Sequence, residues 1–470
     1  MSSRPNLLFM FSDQQSSDMI GCYGNPDAQT PNLDRMAREG VRFSNCVSNV
    51  PVCTPWRGSL LSGQHPLYHG AVFNDFRMLP GNGNYLGEIL RDAGYRTGYI
   101  GKWHLYGGVR ERPVPPGPYR YGFDEVFLTN NCTHQYAAGK AWYWDHNGRC
   151  QYCPKWEPDT ETDQALDFLD NADGRPWALI VSWHPPHDWG GGTYEAPAEW
   201  LERFDPDQLT LRPETPENDE VRRMYQGYHA MGANLDWNVG RLLDKLAQRG
   251  ELENTLIVYT SDHGDCLGRT DRYGAAKCRP ETESTDVPLL VRFPPLLGKG
   301  RTYEGLMQGF DLMPTLLEWL GLEVPSTCHG NSLASAIAEN DPEAVTEVPL
   351  FLSAANGQDW RGLRTRRYIY SFGRDGERYN RLYDLEKDPA QQTNLFDDPA
   401  YRKIRDDLHK RTVAWMDYFG DHFVPFEEMA QQVLVNGDAE VGAADRNQRG
   451  EGAVRGRPVD ILEGQKNDAV

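Results

Sequence analysis

Four strand-like segments that each run directly into polar or charged residues constrain the fold more than any other feature of this chain. The segments are residues 6–12, 96–101, 177–183 and 254–260, and they run into Asp13-Gln14, Lys102-Trp103-His104, His184-Pro185-Pro186-His187 and Ser261-Asp262-His263. Stretches with helical periodicity separate them, which predicts an α/β fold: a large, mostly parallel sheet sandwiched by helices. Ligands of such sheets bind outside the carboxyl ends of the strands. The polar residues are therefore expected to meet in one site.

The length of 470 residues exceeds what one compact core usually holds, so we expect more than one domain. We predict the large α/β domain at residues 1–340. Residues 341–435 show short strand-like segments followed by one helix, which indicates a smaller subdomain with an antiparallel sheet. The tail at 436–470 lacks an apolar period and is interpreted as disordered or as an oligomerisation arm. The stretch 105–160, rich in Pro, Gly and aromatic residues, is interpreted as an inserted loop region that borders the site.

Composition excludes several partners. The formal net charge of −20 argues against binding to nucleic acid or to an anionic membrane surface. No run of about 18 apolar residues is present, so no membrane span is predicted. The apolar run at residues 7–11 is too short for a secretory signal, and we interpret it as a buried strand of a cytoplasmic protein.

The nine cysteines are odd in number and scattered, which predicts free thiols rather than a disulfide framework. Cys150 and Cys153 form a CxxC pair, which is also found in zinc sites and redox pairs. No second pair follows at zinc spacing, so the interpretation as an ordinary loop pair is favoured.

Asp13 and Asp262 follow two strands that are far apart in sequence, and this pattern predicts a metal site. A hard divalent cation needs several oxygen ligands at one point. The two carboxylates and the amide oxygen of Gln14 would supply them, with His263 as a nitrogen ligand. The alternative for each Asp is a helix N-cap directly after a strand.

The sequence around Cys53 reads V-C-T-P-W-R-G-S. A buried cysteine before a helix that starts with Pro would explain this pattern if it stood alone. It occurs, however, in an ordered set with D-Q, T-P-N-L-D, G-K-W-H, P-P-H, S-D-H-G and L-Y-D-L-E-K-D-P. Across residues 5–420 this set resembles the sulfatase family of the alkaline phosphatase superfamily. C-x-P-x-R is the pattern that the formylglycine-generating enzyme reads, so the resemblance implies that this enzyme is a maturation partner and converts Cys53 to formylglycine.

The resemblance also implies one bound metal, calcium or sometimes magnesium or manganese, with residue 53 as a ligand beside Asp13, Gln14, Asp262 and His263. Gln14 replaces the acidic residue that many sulfatases carry, although the family includes Asp-Gln members. Because His263 would add a nitrogen ligand, the site is not expected to be specific for calcium.

Further residues are expected around the nucleophile. Arg57 lies one helical turn after Cys53 and can hold the nucleophile's oxygen, while Lys102 and His104 lie two apart and can point into one cleft. Asn74 is a further candidate substrate contact.

The resemblance assigns roles to four of the site residues. Lys102 and Lys277 would bind sulfate oxygens, His104 would contact the nucleophile's hydroxyl, and His187 would protonate the leaving group. His184 is a near neighbour, but the P-P-H element matches His187.

The resemblance therefore implies hydrolysis of a sulfate ester by a formylglycine diol. The leading alternative is a phosphonate monoester or phosphodiester hydrolase, a relative that also uses formylglycine; the Lys and His of G-K-W-H favour sulfate. A third hypothesis, a catalytically silent binding protein with this fold, is disfavoured by the complete set of site residues. The expected substrate is a small sulfated sugar or similar organic sulfate, bound beside the 105–160 insert and the loop at 189–192. A homo-oligomer is left open.

Overall fold

A computed structural model describes residues 4–107, 110–189, 192–269, 277–354 and 358–432; the tail at 436–470 lies outside these ranges. The strands are β1 (Asn6–Asp13), β2 (Val41–Val47), β3 (Arg96–Lys102), β4 (Val126–Asn130), β5 (Trp142–Trp144), β6 (Cys150–Tyr152), β7 (Trp177–Pro186), β8 (Thr255–Ser261), β9 (Asp286–Val287), β10 (Leu289–Arg292), β11 (Arg301–Gln308), β12 (Glu347–Leu352), β13 (Trp360–Thr365), β14 (Tyr368–Gly373) and β15 (Arg381–Asp384). The helices are α1 (Pro31–Glu39), α2 (Cys53–Ser62), α3 (Pro66–His69), α4 (Leu86–Asp92), α5 (Glu157–Asp170), α6 (Ala198–Leu201), α7 (Asp219–Gln248), α8 (Thr282–Thr285), α9 (Pro294–Leu297), α10 (Leu312–Trp319), α11 (Ala334–Glu339) and α12 (Arg402–Phe419).

The large sheet has the strand order β11-β2-β10-β8-β1-β7-β3-β4-β5-β6, with β9 paired to β2. Its centre, β8-β1-β7-β3-β4, is parallel throughout. β10 runs antiparallel between β8 and β2. The sheet confirms the mostly parallel α/β architecture, and it brings the carboxyl ends of β1, β3, β7 and β8 to one edge.

Helices cover both faces of the sheet, because the apolar side chains of β1 point alternately to one face and to the other. Leu7, Phe9 and Phe11 pack into one core with α2, α4, α10 and α11. Leu8 and Met10 point to the other face and pack with α1, α5 and α7. Because successive side chains of a strand point to opposite faces, an unbroken apolar strand is one that is buried on both.

The stretch 105–160 differs from the loop region that the sequence predicts. It contains β4, β5 and β6, which extend the large sheet at one edge, and α5 already begins at Glu157. The β5–β6 hairpin closes on Asp145, whose carboxylate accepts hydrogen bonds from the amides of Asn147 and Arg149. These strands have three to five residues and little apolar alternation, so periodicity does not reveal them.

The smaller sheet, β12-β13-β14-β15, is antiparallel and confirms the C-terminal prediction. Helix α12 packs on it through Leu408, which contacts Leu363, Tyr370 and Leu382. Strand β12 shares a second core with the β2–α2 segment of the large domain. The domain boundary at residue 340 stays a prediction.

Two further expectations concern cysteines and membranes. All nine cysteines are free thiols. Among the helices of the described residues, none combines the length and the apolarity that crossing a membrane requires.

Candidate active site

Asp13, Cys53, Asp262 and His263 lie together at the carboxyl edge of the large sheet. Asp13 ends β1, Asp262 and His263 directly follow β8, and Cys53 is the first residue of α2. Their potential ligand atoms all lie within 4.8 Å of one another, and all four side chains are buried. The structure therefore brings together the four residues that strand ends and the C-x-P-x-R pattern single out.

Neighbouring strands place the two carboxylates, and backbone amides fix that of Asp262. β1 and β8 are parallel neighbours in register, so Asp13 and Asp262 emerge side by side. Asp262 Oδ1 accepts hydrogen bonds from the amides of Gln14 (3.1 Å) and His263 (2.9 Å). Burial and the charge of Asp13 raise the pKa of Asp262 to about 6. Two acids this close stay ionised together only beside positive charge.

Gln14 and His263 present unused ligand atoms to the same point. Gln14 Nε2 donates to Asp265 Oδ2 at 2.9 Å, whereas its Oε1 is buried without a hydrogen-bond partner in the described part of the chain. His263 Nδ1 lies 3.0 Å from the carbonyl of Gly264, which orients Nε2 toward Asp13 Oδ1 (3.6 Å) and Cys53 Sγ (3.2 Å). Three oxygen-bearing side chains and one oriented imidazole fit a divalent cation.

Arg57 binds the two carboxylates of the site. Its guanidinium donates to Asp13 Oδ2 at 2.8 Å and to Asp262 Oδ2 at 3.0 Å, and the expected contact with the nucleophile's oxygen stays a prediction. The guanidinium also donates to Ser182 Oγ (2.7 Å) and to the carbonyl of Lys102 (2.8 Å). The physical reason is burial: a guanidinium without solvent needs an acceptor for each donor, and the carboxylates supply negative charge as well.

Positive charge surrounds the sulfur of Cys53. Lys277 Nζ lies 3.4 Å and Lys102 Nζ 3.6 Å from Sγ, and Lys102 also pairs with Asp13 Oδ2 at 2.7 Å. Burial alone would raise the pKa of the thiol, but Lys102, Lys277 and His263 outweigh it and hold the pKa well below its usual range. The position at the N-terminus of α2 favours an anion as well. An anionic or strongly polarised oxygen at residue 53 would experience the same field.

His187 and Lys277 lie within hydrogen-bond distance of each other. Lys277 Nζ lies 2.6 Å from His187 Nε2. Burial and Lys277 lower the pKa of His187, but Asp188, Cys53 and Asp13 outweigh them and raise it to about 9. His187 Nδ1 faces Asp188, at 2.7 Å from its carbonyl and 3.2 Å from its Oδ1. Asp188 therefore orients the ring and keeps Nε2 directed at Lys277 and the site.

His104 lies on the opposite side of Cys53. Its Nε2 is 3.3 Å from Asp75 Oδ1, and Arg110 holds Asp75 through two hydrogen bonds of 2.8 and 2.7 Å. Burial lowers the pKa of His104, but Cys132, Asp75 and Cys53 outweigh it and raise the pKa to about 10.

Asn74 lies near Cys53. Its Oδ1 accepts a hydrogen bond of 3.2 Å from the amide of Thr54, in the first turn of α2. Asn74 thus holds the helix that carries Cys53, and its role as a substrate contact stays a prediction.

Sequence reasoning missed Cys132 and His134, which follow β4. His134 stacks on His187 with ring centroids 4.8 Å apart, and its Nε2 lies 3.7 Å from Cys132 Sγ. Burial would raise the pKa of the Cys132 thiol, but His104, Lys102 and Arg110 lower it well below its usual range. The strand-end pattern would have found both residues if β4 had been predicted.

Comparisons with known proteins place this geometry in a family. A family model described as Sulfatase matches residues 5–322, and one described as "N-sulphoglucosamine sulphohydrolase, C-terminal" matches residues 279–417. The chain belongs to the sulfatase family. An ulvan-active sulfatase of Formosa agariphila is 33% identical over 432 residues, which cover 90% of this chain and 83% of the relative. This sulfatase is a sulfuric ester hydrolase.

Solved structures agree with the fold. The YidJ protein of Bacteroides fragilis is 28% identical, with a TM-score of 0.80 and coverage of 92% of this sulfatase and 98% of that chain. A second protein, solved in complex with its substrate D-glucosamine-2-N,6-O-disulfate, is 24% identical with a TM-score of 0.75, covering 89% and 99% of the two chains. At this lower identity the likeness shows the fold alone.

Proposed function

We propose that this sulfatase hydrolyses the sulfate ester of a small sulfated sugar, or of a similar organic sulfate, with a formylglycine formed from Cys53. One observation carries the proposal: residue 53 is buried between the ammonium groups of Lys102 and Lys277 on one side and the Asp13–Asp262–His263 cluster on the other. The first side suits a sulfate group, and the second suits a metal beside the attacking oxygen.

Asp13, Gln14, Asp262 and His263 would hold a divalent cation. When bound, the cation supplies positive charge that favours the deprotonated form of a nearby oxygen nucleophile. Three oxygen ligands favour Ca²⁺, while the imidazole leaves Mg²⁺ or Mn²⁺ open. Arg57 would keep both carboxylates ionised and in place whether or not substrate is present.

Formylglycine, once hydrated, supplies one hydroxyl that attacks sulfur and a second whose deprotonation releases the sulfate and restores the aldehyde. Lys102 and Lys277 bind the sulfate oxygens, where negative charge is greatest. As the ester S–O bond breaks, its electron pair stays on the alcohol oxygen. That oxygen takes a proton from His187 Nε2 or Lys277 Nζ, which lie 2.6 Å apart. His104 in its neutral form accepts the proton of the second hydroxyl, and conversion of Cys53 to formylglycine favours that form because it removes one of the groups that raise the pKa of the ring.

The mass of the tryptic peptide 43–57, from protein made together with the formylglycine-generating enzyme, tests the modification. We expect the sulfur of Cys53 to be replaced by an aldehyde oxygen. Cys46 lies in the same peptide and should keep its thiol, which provides an internal control. An intact Cys53 in fully active protein would overturn the proposed nucleophile.

A substrate panel tests the reaction class. Sulfated monosaccharides, aryl sulfates, phosphonate monoesters and phosphodiesters would be compared by kcat/KM. We expect sulfate esters to lead, because two ammonium groups face residue 53, and sulfated sugars to exceed aryl sulfates. A relative from Bacteroides thetaiotaomicron that is 26% identical, an N-acetylglucosamine-6-O-sulfatase, supports the sugar. A preference for phosphonate esters would instead favour the alternative hydrolase.

A further inference from the structure

A second cluster of ligating side chains lies behind the active site. Glu157 and Glu161 come from α5, and His184 comes from β7. Each offers one ligand atom, and the three atoms lie within 4.8 Å of one another. The three side chains are almost entirely inaccessible, with exposures of 1%, 4% and 0%. No step of the proposed reaction uses them.

The sequence builds this cluster through helical spacing. Glu157 and Glu161 are four residues apart on α5, so both carboxylates lie on the same helix face. That face packs on the large sheet, where His184 precedes His187 by three residues at the end of β7. Two negative groups are thereby directed at one imidazole in a space without solvent.

The ligand atoms lack hydrogen-bond partners. Within the described ranges, Glu157 Oε2, Glu161 Oε2 and His184 Nδ1 are buried and make no hydrogen bond. His184 Nδ1 and Glu157 Oε2 are 3.1 Å apart, yet the ring N–H direction does not match a hydrogen bond. A short distance without hydrogen-bond alignment is the arrangement of two ligands around a shared ion. The imidazole can offset the charge of one carboxylate at most, as the ion-pair distance to Glu157 shows, so the second buried carboxylate requires a proton or a metal ion.

The other nitrogen of His184 also has neighbours that hold the ring. The amide of Thr133 donates to Nε2 at 3.5 Å, the outer limit of a hydrogen bond, and the Cys132 side chain is a further hydrogen-bond partner of the imidazole. These contacts fix the ring plane and keep Nδ1 directed at the two glutamates.

We propose that Glu157, Glu161 and His184 bind a second divalent cation, a transition metal of the Zn²⁺ type. One imidazole and two carboxylates are donors that Zn²⁺ accepts, with water completing four-coordination. Ca²⁺ prefers more oxygen ligands than the cluster offers. The ion ties α5 to the end of β7, three residues before His187, and so fixes the segment that carries the proposed acid.

Zinc retention tests the site directly. Wild-type protein and the variants Glu161→Gln and His184→Gln are equilibrated with excess Ca²⁺ and equimolar Zn²⁺, desalted and analysed for metal by mass spectrometry. We expect each variant to bind Zn²⁺ at this site at least about tenfold more weakly. Each would then retain about one equivalent less Zn²⁺ than the wild type. Asp167→Asn is the matched control, because Asp167 lies on the same helix but is exposed; it should retain the wild-type amount.

The excess of Ca²⁺ is there to occupy the Asp13–Asp262 site in every variant, so that zinc released from a changed cluster is removed on desalting. Equal zinc contents in the wild type and in folded Glu161→Gln would overturn the proposal, since the cluster would then hold a proton between its acids. If the variants do not fold, anomalous diffraction from zinc-treated wild-type crystals decides. A peak among the three ligand atoms supports the site, and zinc confined to the Asp13–Asp262 site refutes it. Neither result depends on the proposed sulfate hydrolysis.

Discussion

Arg57 shows at the scale of one residue how two like charges are kept together. Its guanidinium contacts the carboxylates of Asp13 and Asp262 and still satisfies Ser182 and the carbonyl of Lys102. A planar group with five donors can do this, and a lysine ammonium cannot. Arg57 therefore supports the two carboxylates that are proposed as metal ligands.

Arg57→Lys should lower metal affinity by about 10- to 100-fold, the usual effect of losing an outer partner of a metal ligand. Metal titration measures this affinity independently of activity. This independence is needed because the substitution also alters the C-x-P-x-R pattern, on which the expected conversion of Cys53 depends. Arg175→Lys, at a half-exposed site remote from the cluster, should bind metal like the wild type. Unchanged affinity in Arg57→Lys would show that the carboxylates do not need the guanidinium.

Asp311 provides a pH prediction. Burial raises the pKa of Asp311 to about 7, although Asn331 and Gln308 donate to its Oδ1. Its Oδ2 lacks a hydrogen-bond partner among the described residues. The folded state therefore binds a proton that the unfolded state releases, and stability falls as pH rises from about 4 to about 7.

Asp311→Asn removes this ionisation and keeps the Oδ1 acceptor. The variant should gain in free energy of unfolding over the wild type, with a difference that grows from about pH 5 to about pH 8. Urea unfolding at both pH values measures it. Asp397→Asn, at an exposed carboxylate, should show no such growth. A constant difference for Asp311→Asn would mean that Asp311 is ionised throughout.

At the scale of a structural element, helix α2, which carries Cys53, is closely packed against its neighbours. A Cβ at Gly58 would lie 2.5–3.0 Å from the ring of His69. That ring cannot move freely, because its Nε2 contacts Ser59 Oγ and its Nδ1 accepts from the amide of Ala71. Glycine at this position is therefore a packing requirement inside an otherwise regular helix.

Gly58→Ala should destabilise the protein by about 1–3 kcal/mol, since overpacking outweighs the gain in helix propensity of about 1 kcal/mol. Gly232 in α7 is the matched control: a Cβ there would meet Gln15 Nε2 at an ordinary 3.6 Å. Gly232→Ala should be neutral or stabilising by up to about 1 kcal/mol. Thermal unfolding of both variants checks the contrast, and equal shifts would contradict it.

The elements also show which parts of the site could be predicted. Asp13 and Asp262 could, because each ends an unbroken apolar strand. Cys132 and His134 could not, because they follow β4, whose alternation is weak and lies among Pro, Gly and aromatic residues. The partners of Arg57 could not be predicted either. Helical spacing relates the position of Arg57 to that of Cys53 on α2, but it does not show which strand residues lie next to the guanidinium.

At the scale of the whole molecule, the small sheet supports the site. Cys278 adopts a left-handed backbone conformation (φ 67°), and both of its backbone groups are held. Its amide donates to the carbonyl of Pro51 at 3.1 Å, and its carbonyl accepts from Trp360 Nε1 of β13 at 3.0 Å. Lys277, the adjacent residue, is thereby positioned by both domains.

Trp360→Phe, which removes this donor and keeps most of the ring volume, should lower kcat/KM by roughly three- to tenfold through misplacement of Lys277. Trp415→Phe is the control, because it removes a Trp hydrogen bond to Glu347 in the same subdomain. It should change stability slightly and leave kcat/KM unchanged. Equal kinetics in both variants would show that the small sheet does not position Lys277.

The burial of Cys53 sets an order of events in time. Its side chain has no accessible surface in the finished fold. It is covered by groups from β1, β3, the segment after β8 and Lys277, so the pocket closes only after more than half of the chain has been synthesised. An enzyme that oxidises this residue must reach it earlier, while the segment is still an extended peptide. Maturation and folding therefore compete, and a chain that folds first would keep its thiol for as long as it stays folded.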